Sequence, residues 1–219
     1  TIQKRKTPFP AGWKPELDVT DELNDDMVSR FRQLIGILRW AAELGRLDIL
    51  HEVAVLSQFQ ALPREGHLEA AYHLFGYLKD KDKVKLVFDY RQPDVNEMAF
   101  RQNCDWKAFY GDVEEEVPSK MPEALGYAVT THVFVDSDHA GNVVTRRSHT
   151  GILIFLNKAP VMWFSKRQST VETSTFGSEF IAMKIAKEMI VALRYKLRMF
   201  GIPIEGPSNV YCDNEGVVK

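Results

Sequence analysis

From His132 onward the chain carries a succession of patterns that few folds can satisfy. THVFVD, TGILIFLN and APVMWFS are rich in β-branched and aromatic residues and read as three strands. Only Asn157-Lys158 separates the second from the third, a link short enough for a hairpin. A long helical pattern follows, from about Phe176 to Phe200, with Gly201 and Pro203 as its stop. SNVYCD then reads as a fourth strand, and NEGVVK begins another helix. A strand reached through a helix returns parallel to its neighbour in the sheet. The expected fold class is therefore α/β, a mixed sheet of three antiparallel strands plus a parallel strand, over residues 128–219.

The sequence upstream has another character. Residues 1–25 are polar, with Pro8, Pro10 and Pro15, and read as an extended arm. Residues 26–90 read as a mainly helical unit. Leu34, Ile35, Leu38 and Ala42 mark one stripe of a first helix that Gly45 stops, and Asp25-Asp26 are its helix-start acids. Asp48 is placed to cap a second helix that ends at Pro63. Leu68, Ala71, Tyr72, Phe75 and Leu78 mark a third, and KVKLVFDY alternates like a strand. Residues 91–127, with the acidic run Glu114 to Glu116, read as a linker or excursion.

Composition narrows the class. No apolar run approaches the roughly 18 residues of a membrane span. TIQKRKTPFP has no apolar core of the kind a signal peptide needs, so the expected location is intracellular and not secreted. Cys104 and Cys212 show no metal-binding spacing and imply no structural disulfide. The net charge of −2 hides an asymmetry: residues 1–119 hold 16 basic and 21 acidic residues, residues 120–219 hold 12 and 9. The basic excess of the second part suits a polyanionic partner.

Three acids stand out against this plan. Asp136 and Asp213 end strand-like runs, and Glu179 opens the long helix. At 100° per residue, Phe176, Phe180, Met183, Ala186, Ile190, Leu193 and Leu197 form one stripe with Glu179 near its middle, while Ile181, Ile185, Met189 and Ala192 form a second. A glutamate one turn into a sheet-facing helix can meet strand-end aspartates. Clustered carboxylates repel one another unless a cation neutralises them, and phosphodiester hydrolysis uses such clusters to hold divalent metal. Taken singly, each acid is also an ordinary turn or first-turn residue.

The strings around these acids make the pattern specific. VDSDHAG, TRRSHTG, MWFSKRQSTVETSTFGSEFIA and VYCDNEG occur in that order. They resemble the ribonuclease H domain of copia-type retrotransposon polyproteins, and the likeness spans 132–219. FRQLIGILRWAAELGRLDILHEVAVLSQF and GYLK resemble the end of the reverse transcriptase in the same polyproteins, with Arg46-Leu47-Asp48-Ile49 where Arg-Pro-Asp-Ile is usual. The resemblance implies a ribonuclease H-like fold. It also implies Mg²⁺-dependent hydrolysis of the RNA strand of an RNA–DNA hybrid, with Mn²⁺ as a substitute ion. The partners it implies are the hybrid and the remainder of the polyprotein, with no membrane. Asp136, Glu179 and Asp213 match the family's metal-binding carboxylates, and Asp138 a second acid of the first motif, a further candidate to hold or tune the metal. His139 stands where Trp is usual, and Gly177 where a further Glu is common. The family's fourth acid lies beyond a fifth strand, and the sequence stops at Lys219, so the domain is expected to be incomplete at its C-terminus.

Other residues are candidates for contact with nucleic acid. Arg146, Arg147, Lys166 and Arg167 can meet phosphates, and Ser148, Thr150, Ser165 and Thr170 offer hydroxyls. Trp163 is a core residue or a stacking platform, and His139 a turn residue, proton shuttle or metal ligand. His51, His67 and His73 read as structural. Two alternatives stand beside the enzyme: an impaired or co-opted fragment that binds nucleic acid or protein, and a nuclease of the same fold with another substrate.

Overall fold

The computed structural model describes residues 2–94, 108, 111–112 and 115–218. Most of the expected excursion after residue 94, with Cys104 and Glu114, lies outside the described residues. The chain divides into two compact units. One holds Thr1–Val87, Ser137–Gly151 and Trp163–Ser178, and the other Phe88–Asp136, Ile152–Met162 and Glu179–Lys219. Compactness therefore does not divide the chain near residue 128. Two stretches of the nuclease-like sequence group with the helical part.

The helical part of the first unit is built from α1 (Asp25–Glu43), α2 (Leu50–Leu56) and α3 (Glu65–Asp80). Asn24 caps α1 by accepting the Met27 N–H at 2.9 Å, and Asp25 and Asp26 occupy its first turn, as helix-start acids should. Phe31, Ile35, Leu38, Ile49, Leu56 and Leu74 are wholly buried in one cluster, each contributing about 1.5–3 kcal/mol by leaving water. The second helix is shorter than expected: single 3₁₀ turns, Leu47–Ile49 and Ser57–Phe59, flank it. Asp48 does not cap it. Its carboxylate instead takes a two-pronged pair from Arg46 at 2.8 and 2.9 Å.

The N-terminal arm is extended, but it is held against α3. The Arg5 N–H donates to the Gly76 carbonyl at 3.1 Å, and Leu23 to that of Pro63. Two glycines permit this approach. A Cβ on Gly76 would meet the Gln3 carbonyl, and one on Gly66 the Asp18 carboxylate. His67 fastens the same seam: its Nδ1 accepts the Arg64 N–H at 3.0 Å, so Nε2 carries the proton it donates to the Pro15 carbonyl at 2.9 Å. The expected strand at KVKLVFDY is absent. Among the described residues no strand pairs with it, and Val84, Val87, Phe88 and Tyr90 are exposed.

The sheet follows the expected plan. β1 (Thr131–Asp138), β2 (His149–Leu156), β3 (Ala159–Arg167) and β4 (Asn209–Tyr211) lie in the order β3-β2-β1-β4. β4 runs parallel to β1, with Val133 opposite Val210 and Phe134 opposite Tyr211. Asn157 makes the β2–β3 turn in the left-handed region at φ 54°, which Asn tolerates better than most residues. It also grips Thr130, donating to its carbonyl and accepting its N–H, both at 2.9 Å.

Helix α4 (Thr175–Met199) precedes β4. It closes on Gly201 at φ 71°, with Gly201 N–H bonded to Arg198 and Ile202 N–H to Leu197, both at 2.9 Å, a Schellman ending. Ala182, Ala186, Ile190, Leu193 and Leu197 form its buried stripe. Phe176 and Phe180, expected on that stripe, are 47% and 57% exposed. Small residues, Ser178 and Ala182, take the buried positions in the first turns instead. The C-terminal half of α4 is tied to the segment before β1. Arg194 and Arg198 both bind Glu115, at 2.8 and 2.7 Å, and hold its carboxyl down to about 2, Arg198 contributing most. Glu115 is partly exposed, so Glu115→Gln is expected to cost only about 1 kcal/mol at pH 7. Urea unfolding measures it, and the difference from the wild type should vanish as pH falls from 4.5 towards 2.

Candidate metal centre and nucleic-acid-facing residues

The second unit contains the acids. Glu179 sits in the first turns of α4 and is 5% exposed. Asp213 follows β4 by two residues and is exposed. Ligand atoms of Glu179, Cys212 and Asp213 all lie within 4.8 Å of one another, a group of metal-binding character. Thus a helix start and a strand end deliver two carboxylates to one place. Asp136 stands outside this group. It occupies the exposed side of β1, two residues beyond Phe134, just as Asp213 lies two beyond Tyr211. Phe134 and Tyr211 are paired in register and stacked at 4.7 Å, so the two aspartates leave neighbouring strands at the same level.

Cys212 is the member that the sequence reading missed. Its thiol donates to Glu179 Oε2 at 3.9 Å. Burial pushes its pKa up, and the nearby charges of Glu179 and Asp213 push it further. A thiol kept protonated is a poor ligand, and a soft one, so the donors for a hard divalent ion are the carboxylate oxygens. That donor set fits Mg²⁺ or Mn²⁺ completed by water. The signal in the sequence was adjacency: Cys212 immediately precedes Asp213.

The first unit holds the remaining candidates. Asp138 is engaged locally: its carboxylate accepts the His149 N–H, and a Cβ on Gly141 would fall on it. Ser148 is buried, and its Oγ accepts the Ala140 N–H at 3.0 Å, so the hydroxyl is not offered to a partner. Thr150 is likewise buried and accepts from Gln168, while Ser165 bonds His149 Nε2 at 2.8 Å. Gln168 is a second residue that the sequence reading passed over. It also donates to the Ser178 carbonyl at 2.8 Å, which fixes the loop before α4. Trp163 donates Nε1–H to the Ala42 carbonyl at 3.0 Å, a structural bond. His139 has a buried Nδ1 with no hydrogen-bond partner. Arg146 (at φ 56°), Lys166 and Thr170 are exposed, while Arg147 and Arg167 are half-buried. His51 packs edge-on against His149 with centroids 4.7 Å apart.

Comparison with known proteins places this geometry in context. The chain is 25% identical over 216 residues to the retrovirus-related Pol polyprotein from transposon RE1 of Arabidopsis thaliana, covering 99% of this chain and 12% of that protein. It is 28% identical over 189 residues to the corresponding polyprotein from transposon TNT 1-94 of Nicotiana tabacum, covering 86% and 11%. An uncharacterized mitochondrial protein of Arabidopsis thaliana is 40% identical over 157 residues, covering 72% of this chain and 50% of that protein. The chain thus spans about 12% of the length of the first of these polyproteins. No protein-family model and no solved structure matches it. Similarity to transposon Pol polyproteins supports a copia-type Pol character, and one continuous alignment takes in both the helical part and the sheet. No helix among the described residues is long and apolar enough to cross a membrane.

Proposed function

We propose that the chain serves retrotransposon replication as part of a Pol polyprotein, and that it hydrolyses the RNA strand of RNA–DNA hybrids with Mg²⁺ in the manner of ribonuclease H. The observation that carries this reading is the convergence of Glu179 and Asp213 from two separate elements. Asp136, on the exposed side of the neighbouring strand β1, is the third carboxylate. These three would hold the metal, with Mn²⁺ as a substitute, and the ion would supply charge stabilisation at the phosphate and an activated water. Glu179 would present its carboxylate from a buried helical turn. Asp213 and Asp136 present theirs from exposed positions that a polyanionic strand can reach. The hybrid and the rest of the polyprotein are the proposed partners, within the cell.

A second reading is favoured by the position of Asp136 outside the Glu179–Cys212–Asp213 group: a fragment that binds hybrid without cutting it. Cleavage of end-labelled hybrid with Mg²⁺ separates the two. The wild-type chain is expected to cut the RNA strand, to spare duplex DNA, and to lose activity in Asp136→Asn. A wild type no faster than Asp136→Asn, with hybrid binding intact, establishes the second reading instead.

A further inference from the structure

The first unit carries a partly open cavity of about 110 Å³ that the proposed hydrolysis does not use. Lys14 of the arm, His51 and Gln58 of the α2 segment, Arg147 of the β1–β2 loop, His149 and Arg167 line it. Two carboxylates share the wall and keep their charge, each accepting one backbone N–H. Glu16 accepts from Val143 at 3.0 Å, and Asp138 accepts from His149.

Arg147 and Arg167 are unlike them. Both are half-buried, and among the described residues neither guanidinium makes a hydrogen bond or an ion pair. A guanidinium carries five donors and cannot shed its charge. Two of them beside one cavity, bonded to neither carboxylate, leave donors partly desolvated. His149 feels the same field. Burial first, then His51 and Arg167, bring it down to about 4. Gln58 adds an amide oxygen that is buried with no partner. Its amide, turned over, offers an N–H₂ instead, since the two ends are nearly indistinguishable in shape. One fixed anion with several acceptor oxygens relieves all of this. The volume sets its size. A space of about 110 Å³ admits a tetrahedral oxyanion.

We propose that this cavity is an oxyanion site holding one phosphate, with Arg147 and Arg167 as its principal ligands, and that the phosphate belongs to the backbone of a bound nucleic acid. The site itself stands apart from the nuclease reading; only the source of its phosphate rests on it. It also sorts the four basic residues near the motifs: Arg147 and Arg167 line the cavity, whereas Arg146 and Lys166 remain on the surface.

The test uses the full chain without divalent metal, in EDTA, so that loss of cleavage cannot imitate loss of binding. Inorganic phosphate is titrated while thermal unfolding and the His149 imidazole resonance are followed. Hybrid binding is measured across a salt series for wild type, Arg147→Gln, Arg167→Gln and the double variant. Phosphate is expected to raise the unfolding temperature and move the His149 resonance in the wild type but not in the double variant. The double variant should bind hybrid at least about tenfold more weakly, with the salt slope reduced by roughly one for each arginine lost. If phosphate stabilises the wild type while hybrid affinity is indifferent to both arginines, the nucleic-acid source is overturned and the site serves free phosphate. If phosphate leaves both unfolding and the His149 resonance of the wild type unchanged, the oxyanion site is refuted, whether or not the variants fold.

Discussion

Glu179→Gln is expected to slow Mg²⁺-dependent cleavage of hybrid at least about 100-fold, since partners that merely orient metal ligands already cost about 10–100-fold when removed. Cys212→Ser should leave cleavage close to wild type. The contrast follows from the geometry. Glu179 is buried in the first turns of α4, and glutamine fills the same volume, so the substitution removes charge and little else. Cys212 shares the group, but burial and the two neighbouring carboxylates keep its thiol protonated. A protonated sulfur offers a hard cation nothing that water does not. Initial rates on labelled hybrid, together with Mn²⁺ affinity from electron paramagnetic resonance, check both variants. A Glu179→Gln chain that cuts as fast as wild type, or a Cys212→Ser chain that loses Mn²⁺, would overturn the assignment of the carboxylates as the metal's ligands.

Much of this arrangement was legible in the sequence because it rests on local rules. The β2–β3 turn needed only Asn157, the end of α4 only Gly201, and the parallel β4 only a helix before it. Helical phase placed Glu179 on a buried stripe, and the structure keeps it there even though Phe176 and Phe180 left that stripe. What remained hidden depends on partners distant in sequence. KVKLVFDY has the alternation of a strand, but a strand exists only where another lies beside it. Asp48 has the chemistry of a cap, but Arg46 offered its carboxylate a charged fork. The Glu115 pair with Arg194 and Arg198 joins residues about eighty positions apart, and no periodicity announces it. The acids divide in the same way. Glu179 and Asp213 meet because a crossover helix and its strand fix their ends, whereas Asp138, two residues from Asp136, is committed to the turn at His149.

That turn makes the largest pH effect in the first unit. His149 is held down to about 4 against an ordinary 6.5, by burial first and then by His51 and Arg167. As pH falls below 6.5, the unfolded chain takes up a proton there that the folded chain refuses until about pH 4. Stability present above 6.5 is therefore lost through that window, on the order of 3 kcal/mol. His149→Gln cannot take up the proton and should lose far less over the same range, so the stability difference between the chains moves in the variant's favour as pH falls from 7 towards 4. Glu115 acts in a separate window, from 4.5 towards 2, and more weakly because it is partly exposed. Urea unfolding of both chains at pH 7, 5.5 and 4.5 follows the His149 window, above the range in which Glu115 titrates. Parallel losses in wild type and His149→Gln would show that a different group governs acid unfolding. A smaller loss in the variant than in the wild type identifies the imidazole that Ser165 and His51 contact.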